Sequence, residues 1–427
     1  MPMSRDEIRE IQNRKLRALW DEICVRNPFW QGRAAGCDLS LDSLTQFPFT
    51  TKADLVADQR QHPLYGTNLT YPRGAYSRLH QTSGTTGQPI RWLDTPESWN
   101  WLIVCWSQLF PLIGITPQDR FCFPFSFGPF LGFWAGFEGA LRGGNFSVAA
   151  GGMSTAARLQ LIFEHEITVV CCTPTYAMRM AEVARDEGHD LAAGAVRILL
   201  VAGEPGGSIP AIRRQIGEAW GARVVDHWGM TELGPMAIEP VEYPASLALL
   251  ETECIAEILD PVTTEPVPPG ELGELVITNL GRLGSPLLRY RTGDLVRADK
   301  TADATAGFLR LEAGILGRVD DMITIRGNNV FPSAIEAAIR EFDDVAEYRL
   351  ELRTTRAMNH LRIEIEPRLE SADRRNSLST DDLVEAIRQH LRDRFHFQAE
   401  VISVPANSLP RFEMKGRRFF RREESAE

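Results

Sequence analysis

Three short apolar runs in the middle of the chain alternate with stretches of helical periodicity. The runs cover residues 167–172, 196–201 and 223–225. Between them, apolar side chains recur at helical spacing after Pro174 and over residues 209–220. Strands that alternate with helices in this way form a parallel sheet, and ligand-binding loops follow the carboxyl ends of its strands. The chain is therefore predicted to be an α/β protein whose chemistry lies in the loops after these runs.

The rest of the chain indicates more than one structural unit. With 427 residues, the chain is too long for a single ordinary core. Residues 254–297 change to strand pairs with proline and glycine turns. From about residue 320, a strand, a helix, two strands, a helix and a strand follow. We predict a large N-terminal domain of several subdomains with parallel-type sheets, followed by a small α+β C-terminal domain.

Composition and charge exclude several classes of protein. A net charge of −11 argues against general nucleic-acid binding, and no apolar stretch is long enough to span a bilayer. The segment Met1–Cys24 has Leu16, Leu19 and Ile23 at helical spacing, which predicts an amphipathic surface helix rather than a signal peptide. The seven cysteines are scattered, as expected for buried free thiols in a reducing cytoplasm. We expect a cytoplasmic protein without nucleic-acid or membrane partners, and its oligomeric state, a homodimer being one option, is left open.

One loop has the composition of an anion-binding site. Residues 82–89 read Thr-Ser-Gly-Thr-Thr-Gly-Gln-Pro, directly before the strand-like residues 90–92. Glycines let the backbone approach an anion closely, and successive N–H groups with neighbouring hydroxyls can surround phosphate oxygens. The loop is not a Walker A motif, because Gln88 stands where a lysine is expected. Taken alone, a generic surface turn is the favoured interpretation.

Four further segments place acids, hydroxyls or a lysine after apolar stretches. They are residues 228–232 (Trp-Gly-Met-Thr-Glu), 290–294 (Tyr-Arg-Thr-Gly-Asp), 317–321 (Gly-Arg-Val-Asp-Asp) and 409–416 (Leu-Pro-Arg-Phe-Glu-Met-Lys-Gly). The Glu232 carboxylate could carry Mg²⁺, which neutralises nucleotide phosphates. Asp294, on a tight turn, suits the two hydroxyls of a ribose. Taken singly, Asp294 could be a plain turn acid and Lys415 a solvated tail lysine.

In this order and spacing, the segments resemble the adenylate-forming superfamily, and within it the phenylacetate–CoA ligase branch. The superfamily includes acyl-CoA synthetases, nonribosomal adenylation domains and firefly luciferase. The resemblance runs essentially end to end, with further matches at residues 27–30, 47–55, 173–176 and 326–333. It implies an N-terminal adenylation domain with the ATP and acyl pockets, residues 1–319, and a mobile C-terminal lid domain, residues 320–427.

The resemblance implies a role for each matching residue. The matches to the loop that holds the β- and γ-phosphates of ATP are Ser83, Gly84, Thr85, Thr86 and Gly87. The matches to the segments that sandwich adenine are Gly203, Glu204, Pro205, Asp226, His227, Trp228, Gly229 and Met230, with Trp228 where the family usually has tyrosine. Thr231 matches the α-phosphate contact, and Glu232 matches the Mg²⁺ ligand. Asp294 matches the ribose-binding acid, with Arg318 nearby.

The C-terminal part carries its own implied roles. Lys415 matches the catalytic lysine that bridges the substrate carboxylate and the α-phosphate, and Asp320 matches the hinge between the domains. Arg326 and Gly327 match the loop that faces the acceptor thiol. Two residues depart from the family pattern. Gln88 replaces the usual lysine of the phosphate loop, and Met414 replaces the usual glycine before the catalytic lysine.

An aromatic segment interrupted by glycines matches the family's acyl pocket. The predicted pocket residues are Phe127, Phe133, Trp134, Phe137 and Ala202. The alternative interpretation is core packing, because aromatic side chains bury large areas in any protein. The pocket interpretation favours a small, flat aromatic acid. A standard amino acid is disfavoured, since Glu138 is the only obvious carboxylate in this segment that could hold an α-amine.

The resemblance implies two half-reactions that use ATP, Mg²⁺ and CoA. The acid would attack the α-phosphorus of ATP to give acyl-AMP and pyrophosphate, and a thiol would then release AMP after the C-terminal domain turns about Asp320. Two alternatives stay open. The acyl group could pass to a carrier-protein thiol or to an amine, or the chain could be a nucleotide-binding protein without turnover, which Gln88 and Met414 suggest.

Overall fold

The computed structural model describes residues 3–34, 38–82, 89–300, 307–325, 328–355, 358–368, 378–412 and 416–423. The N-terminal part is mainly helical and includes a short hairpin. Its elements are α1 (Arg5–Arg26), α2 (Pro28–Arg33), α3 (Lys52–Gln61), β1 (Arg78–Gln81), β2 (Arg91–Asp94) and α4 (Pro96–Leu112). A capping box between Ser4 and Glu7 begins α1, and its face of Leu16, Leu19 and Ile23 is buried, which confirms the predicted amphipathic helix.

The central sheet alternates strands with helices, as the sequence predicted. Its elements are β3 (Arg120–Phe123), α5 (Trp134–Arg142), β4 (Phe146–Ala149), α6 (Thr155–Glu164), β5 (Val169–Cys172), α7 (Pro174–Asp186), β6 (Ile198–Val201), α8 (Pro210–Trp220), β7 (Arg223–Met230), β8 (Gly234–Ile238) and β9 (Ser246–Leu249). Strands β4, β3, β5, β6 and β7 lie side by side in parallel. Strands β8 and β9 extend the sheet antiparallel beyond β7. The carboxyl ends of the parallel strands therefore share one edge.

Both faces of the central sheet are covered. On β6, Ile198 and Leu200 enter one core with α4 and α5, whereas Leu199 and Val201 enter a second core with α6, α7 and α8. Because such strands are buried on both faces, they appear in the sequence as continuous apolar runs. The described cysteines are free, and all of them except Cys24 are buried, which confirms the expected buried thiols.

An antiparallel sheet follows the central one. Its part of the chain contains β10 (Cys254–Leu259), β11 (Leu272–Asn279), β12 (Tyr290–Arg297), β13 (Arg310–Glu312) and β14 (Gly317–Arg318). Strands β10, β11, β12 and β14 pair in that order, and β13 joins the central sheet beside β9. The pairing of β12 with β14 sets Asp294 opposite Arg318. The strand pairs predicted for residues 254–297 are confirmed.

The C-terminal part is an α+β unit, as predicted. It contains β15 (Ile323–Ile325), β16 (Asn328–Val330), α9 (Pro332–Arg340), β17 (Val345–Thr355), β18 (Met358–Pro367), α10 (Thr380–Phe395), β19 (Glu400–Ser403) and β20 (Phe419–Glu423). Its sheet has the order β19, β18, β17, β20, and its apolar side chains form a core of their own. The domain limit between residues 319 and 320 stays a prediction. Within the described residues, every helix is too short or too polar to cross a bilayer.

Candidate active site

Loops from neighbouring parallel strands meet at the shared carboxyl edge of the central sheet. The aromatic segment follows β3, Gly151 and Gly152 follow β4, and residues 202–205 follow β6. Strand β7 itself ends at Met230, directly before Thr231. Topology therefore brings the predicted acyl, adenine and α-phosphate segments to one side of the molecule.

The predicted phosphate loop connects β1 to β2. These strands are antiparallel, with Gln81 opposite Arg91. The Thr82 amide donates to the Ile90 carbonyl oxygen at 3.0 Å, and the Ile90 amide donates to Thr82 Oγ1 at 3.0 Å, so the two ends of the loop are held together. Several predicted residues lie outside the described part of the chain: Ser83, Gly84, Thr85, Thr86, Gly87, Gln88, Arg326, Gly327, Met414 and Lys415.

Thr231 and Glu232 lie in the tight turn between β7 and β8. The Leu233 amide donates to the Met230 carbonyl oxygen at 3.2 Å and closes this turn. A side chain at Gly229 would not fit, because its Cβ would lie 2.6 Å from the Gly234 carbonyl oxygen. Glycine therefore lets the two strands approach closely enough to present the turn at the sheet edge.

A buried arginine that the sequence did not single out holds this turn. Arg282 Nη1 donates to the carbonyl oxygens of Thr231 at 2.6 Å and Glu232 at 3.1 Å. Its Nε and Nη2 atoms donate to the two carboxylate oxygens of Asp94 at 2.7 and 2.6 Å, and both side chains are fully buried. Asp94 ends β2, so this ion pair links the hairpin that carries the predicted phosphate loop to the turn that carries Thr231 and Glu232.

Asp94 also faces a buried histidine on β1. His80 Nδ1 lies 3.7 Å from Asp94 Oδ2, and the His80 ring stacks on Trp99 with ring centroids 5.2 Å apart. Burial favours a raised pKa for Asp94, but the Arg282 guanidinium and His80 outweigh it, and the pKa of Asp94 is lowered. Asp94 therefore stays ionised, which keeps the Arg282 charge compensated inside the protein.

The Glu232 side chain is buried next to a tyrosine. Glu232 is 3% exposed, and Tyr290 on β12 places its hydroxyl 3.5 Å from Glu232 Oε1. Burial and the nearby Glu232 carboxylate raise the pKa of Tyr290, so the hydroxyl keeps its proton and can donate. Within the part of the chain that the structure describes, no three His, Cys, Asp or Glu side chains gather into a metal-binding cluster.

The predicted ribose acid joins two other predicted site residues. Asp294 Oδ2 accepts from Trp228 Nε1 at 2.9 Å, and Asp294 Oδ1 accepts from Arg318 Nη1 at 2.7 Å. Burial raises the pKa of Asp294, and Arg318 opposes that rise. Each carboxylate oxygen has two acceptor lone pairs, so Asp294 retains the capacity to accept from two hydroxyl groups.

The predicted adenine segment contains two titratable side chains with shifted pKa values. Burial and the nearby Glu239 carboxylate raise the pKa of Asp226 to about 7, although Arg213 and the Ser208 hydroxyl oppose the rise. Burial lowers the pKa of His227 to about 4, so its ring is neutral at pH 7. His227 Nδ1 lies 2.7 Å from the Ala237 carbonyl oxygen and therefore donates to it.

A cavity of about 320 Å³ opens beside the aromatic segment. It is lined by Ser126, Phe127, Trp134, Phe137, Ala149, Gly151 and Gly152. Three of the predicted acyl-pocket residues, Phe127, Trp134 and Phe137, therefore line one cavity. Phe133 instead is buried in the core, with its ring edge-on to Phe123 at a centroid distance of 6.1 Å. Ala202 packs against the same core.

Glu138 is already engaged by other side chains. Its Oε2 atom accepts from Trp99 Nε1 at 2.7 Å, and its Oε1 atom pairs with Arg78 at 2.7 Å. Among the residues that the structure describes, those that line the cavity include no carboxylate. The sequence-based argument against an amino-acid substrate therefore gains a structural reason.

The segment after Lys415 contacts the N-terminal part of the chain. The Gly416 amide donates to Glu204 Oε2 at 2.7 Å, and the Thr175 amide donates to Glu204 Oε1 at 2.8 Å. Arg418 Nη1 donates to Thr175 Oγ1 at 3.0 Å. The predicted hinge Asp320 is exposed in the turn Val319–Asp321, between β14 and β15.

The sequence matches two family models. One, described as AMP-binding enzyme, covers residues 79–281, and the other, described as AMP-binding enzyme C-terminal domain, covers residues 327–422. Phenylacetate-coenzyme A ligase from Thermus thermophilus is 30% identical over 96% of this chain and 95% of its own length. The ligase of the same name from Pseudomonas putida is 32% identical over 86% of this chain and 83% of its own length.

Solved structures of a related ligase superpose on the whole chain. 2-Hydroxyisobutyryl-CoA ligase in the postadenylation state with 2-HIB-AMP has a TM-score of 0.91 and 27% identity, and the match covers 98% of this chain and 90% of that one. The same ligase with 2-HIB-AMP and CoA in the thioesterification state has a TM-score of 0.72 and 28% identity, covering 99% and 91%. This chain is thus more similar in shape to the postadenylation state.

The titration of Asp226 should lower the free energy of unfolding of the protein as the pH rises. Its pKa is about 7 in the folded protein and about 3.9 in an unfolded chain. The folded state therefore holds a proton that the unfolded chain releases, and stability that is present below pH 4 is lost as the pH rises to 7. We expect the Tm of Asp226→Asn, minus that of the wild type, to be larger at pH 8 than at pH 5. Asp186→Asn, at an exposed position, should show the same difference at both pH values. An Asp226→Asn difference independent of pH would contradict this prediction.

Arg282→Met should destabilise the fold and impair the turn that it holds. It leaves the buried Asp94 carboxylate without its partner, which should cost about 3–5 kcal/mol in urea unfolding. Arg26→Met, which removes an exposed pair with Glu22, should cost less than about 1 kcal/mol.

The double variant Asp94→Leu/Arg282→Met separates the two effects. Removing both charges should recover much of the stability. Pyrophosphate release from ATP should stay low, because the Thr231 and Glu232 carbonyl groups still lack their donor. Recovery of both stability and pyrophosphate release would mean that the pair serves the fold alone.

Proposed function

Because this chain belongs to the AMP-binding enzymes, within the family of the phenylacetate-coenzyme A ligases, we propose that its acid substrate is a small aryl acid. The enzyme is an AMP-forming ligase. It activates a carboxylic acid with ATP to give acyl-AMP and pyrophosphate, and it transfers the acyl group to CoA with release of AMP. The aromatic cavity lined by Phe127, Trp134 and Phe137 is the observation that carries the aryl assignment.

The nucleotide would lie along the carboxyl edge of the central sheet. Asp294 would accept from the ribose hydroxyls while Trp228 and Arg318 fix its carboxylate. Gly203, Pro205 and the end of β7 would enclose adenine, and the Thr231 hydroxyl would contact the α-phosphate. The residues from Ser83 to Gly87 would hold the β- and γ-phosphates. Arg282 supports this arrangement because its hydrogen bonds fix the backbone of the 231–232 turn.

The chemistry of Glu232 fits a magnesium ion. Mg²⁺ prefers hard oxygen ligands and is usually held by one or two carboxylates together with substrate phosphates, so it does not need a cluster of protein ligands. Glu232 offers such a carboxylate on the turn beside Thr231, and the Tyr290 hydroxyl orients it. When bound, Mg²⁺ would supply positive charge that neutralises the phosphates of ATP.

Adenylation is proposed to use the nucleotide site of the N-terminal part together with Lys415 of the C-terminal part. A carboxylate oxygen of the acid attacks the α-phosphorus, the bond from that phosphorus to the bridging oxygen breaks, and pyrophosphate leaves. Negative charge builds up at the α-phosphate in the transition state, and the Lys415 ammonium would stabilise it. The similarity in shape to a postadenylation state supports the interpretation that this conformation belongs to the adenylation side of the cycle.

Thioester formation would follow a rotation of the C-terminal domain about Asp320. The CoA sulfur attacks the acyl carbon, the bond from that carbon to the phosphate oxygen breaks, and AMP leaves. In this step Lys415 would be withdrawn, and Arg326 and Gly327 would face the thiol. One nucleotide site would thus serve both half-reactions, and the domain position would decide which of them runs.

Enlarging the aromatic cavity should weaken the binding of aryl acids selectively. A planar ring gains about 0.5–1.5 kcal/mol from each offset aromatic partner beyond simple burial. Phe137→Ala should therefore raise the KM for benzoate- or phenylacetate-like acids by about two- to tenfold, with a smaller effect on acetate or butyrate. Phe130→Ala, in the same segment but exposed and outside the cavity lining, should leave the KM unchanged.

The measurement is pyrophosphate release across aryl, short-chain and long-chain acids at matched concentrations, with and without CoA. AMP formation that depends on CoA identifies the acceptor. If pyrophosphate release were faster with decanoate or palmitate than with every aryl acid, the cavity would not select for rings, and the proposed substrate class would be wrong.

Lys415→Ala should separate the two half-reactions. Loss of the ammonium group should lower acyl-AMP formation by at least about 100-fold, because that charge acts only in the adenylation transition state. Thioester formation from supplied acyl-AMP should be nearly unchanged. Lys300→Ala, at an exposed position, is the matched control and should affect neither step. An equal loss in both steps would mean that Lys415 acts in the fold.

A further inference from the structure

We propose that Glu204 is a positioning residue that holds the C-terminal segment in the adenylation pose. The proposal rests on the proposed function, since it concerns the step that Lys415 serves. Glu204 was expected in an adenine-binding segment. Its carboxylate, however, accepts a hydrogen bond from each of two separate parts of the chain, Thr175 at the start of α7 and Gly416 directly after Lys415.

The two hydrogen bonds give Glu204 a fixed and a removable partner. The Thr175 amide lies in the first turn of α7, where helix N–H groups lack partners within the helix and point outward. It holds the Glu204 side chain on the N-terminal part of the chain. The Gly416 amide belongs to the C-terminal part and lies 212 residues after Glu204 in the sequence. When the C-terminal domain turns, only the second bond has to break.

The position of Gly416 ties this contact to the reacting lysine. Gly416 follows Lys415 in the sequence, so a bond to the Gly416 amide restricts where the lysine can lie. The site also has no room for a side chain at residue 416. A Cβ there would collide with the Arg418 guanidinium and lie 3.2 Å from Thr175 Oγ1. Glycine at this position therefore lets the segment approach Glu204 closely.

Arg418 reinforces the same contact from the C-terminal side. Its Nε and Nη2 atoms donate to the two carboxylate oxygens of Glu347 at 2.6 and 2.9 Å, which anchors it on β17. Its remaining Nη1 atom donates to Thr175 Oγ1 at 3.0 Å. The Thr175 hydroxyl therefore accepts from Arg418, and the Thr175 amide donates to Glu204. These three residues and Gly416 form one interface, which we call the Glu204 latch.

Two of the other described contacts between the two parts lie at the surface. Arg214 approaches Asp343 at 3.4 Å, and both side chains are about half exposed. Gln215 also donates to Asp343 at 3.0 Å at the surface. Exposed pairs of this kind contribute little, because water replaces them readily. The Glu204 latch instead includes Gly416, the residue that follows Lys415 in the sequence.

The experiment measures each half-reaction in Glu204→Gln, Gly416→Ala and Thr175→Val. Glutamine has one acceptor oxygen, and its amide group cannot accept from the second N–H. Glu204→Gln and Gly416→Ala should lower acyl-AMP formation by about 10- to 100-fold. Both should leave thioester formation from supplied phenylacetyl-AMP and CoA within about twofold of the wild type. Thr175→Val keeps the amide and should give the smaller loss. Glu10→Gln, an exposed change on α1, should alter neither step.

Hydrogen–deuterium exchange tests the latch without any acid substrate. The peptide that contains residues 416–423 should exchange faster in Glu204→Gln than in the wild type, while peptides from the central sheet should not change. This measurement also distinguishes the latch from the substrate assignment. If the wild type activated no aryl acid, the proposed substrate would fail, but faster exchange in Glu204→Gln would still support the latch.

Two results would overturn the proposal. An equal loss in both half-reactions would place Glu204 in nucleotide binding or in the fold, because both of those roles serve both steps. Unchanged adenylation together with unchanged exchange at residues 416–423 would mean that the two hydrogen bonds do not position the segment.

Discussion

The burial of both faces of the central sheet is the constraint on which the site depends. Helices α4 and α5 cover one face and α6, α7 and α8 cover the other, so both faces of the sheet are packed in apolar cores. The loops that follow the parallel strands lie at the edge formed by their carboxyl ends. Side chains that are far apart in the sequence therefore form one continuous surface, along which a nucleotide and an acyl group can lie end to end.

Buried charge gives this edge its internal geometry. The Arg282–Asp94 pair has no solvent contact, so neither partner can move away without leaving an uncompensated charge in the interior. That cost makes the pair a rigid link between the 231–232 turn and the hairpin of the phosphate loop. Replacing such a pair by apolar side chains is often neutral for stability, so stability alone does not account for it. The bonds from Arg282 to two carbonyl oxygens of the turn offer a functional reason for charge at this place.

Sequence reasoning recovered the parts of the structure that leave a local pattern. The apolar runs at residues 167–172 and 196–201 predicted buried strands, because a parallel strand is apolar on both faces. The Arg282–Asp94 pair was missed because its partners are 188 residues apart and neither lies in a recognisable motif. Phe133 and Phe137 look equivalent in the sequence, yet one packs into the core and the other lines the cavity. Their difference depends on the three-dimensional course of the segment before α5, which periodicity does not encode.

The Arg282–Asp94 pair and the Glu204 latch differ in burial, and this difference matches their proposed roles. A site that must hold phosphates in both half-reactions benefits from a link that cannot relax, and a fully buried ion pair provides it. Under the proposed rotation, a domain that leaves after each adenylation needs contacts whose loss water can compensate. Glu204 is only partly buried, and its bond to the Gly416 amide can be exchanged for a bond to water at a net cost of about 1.5–3 kcal/mol, the usual contribution of a hydrogen bond to a charged group. Arg418 would keep both of its bonds to Glu347 on leaving Thr175 in the proposed rotation, so its charge would stay compensated. Rigid contacts thus lie within the N-terminal part of the site, and replaceable contacts lie where the two parts of the chain separate.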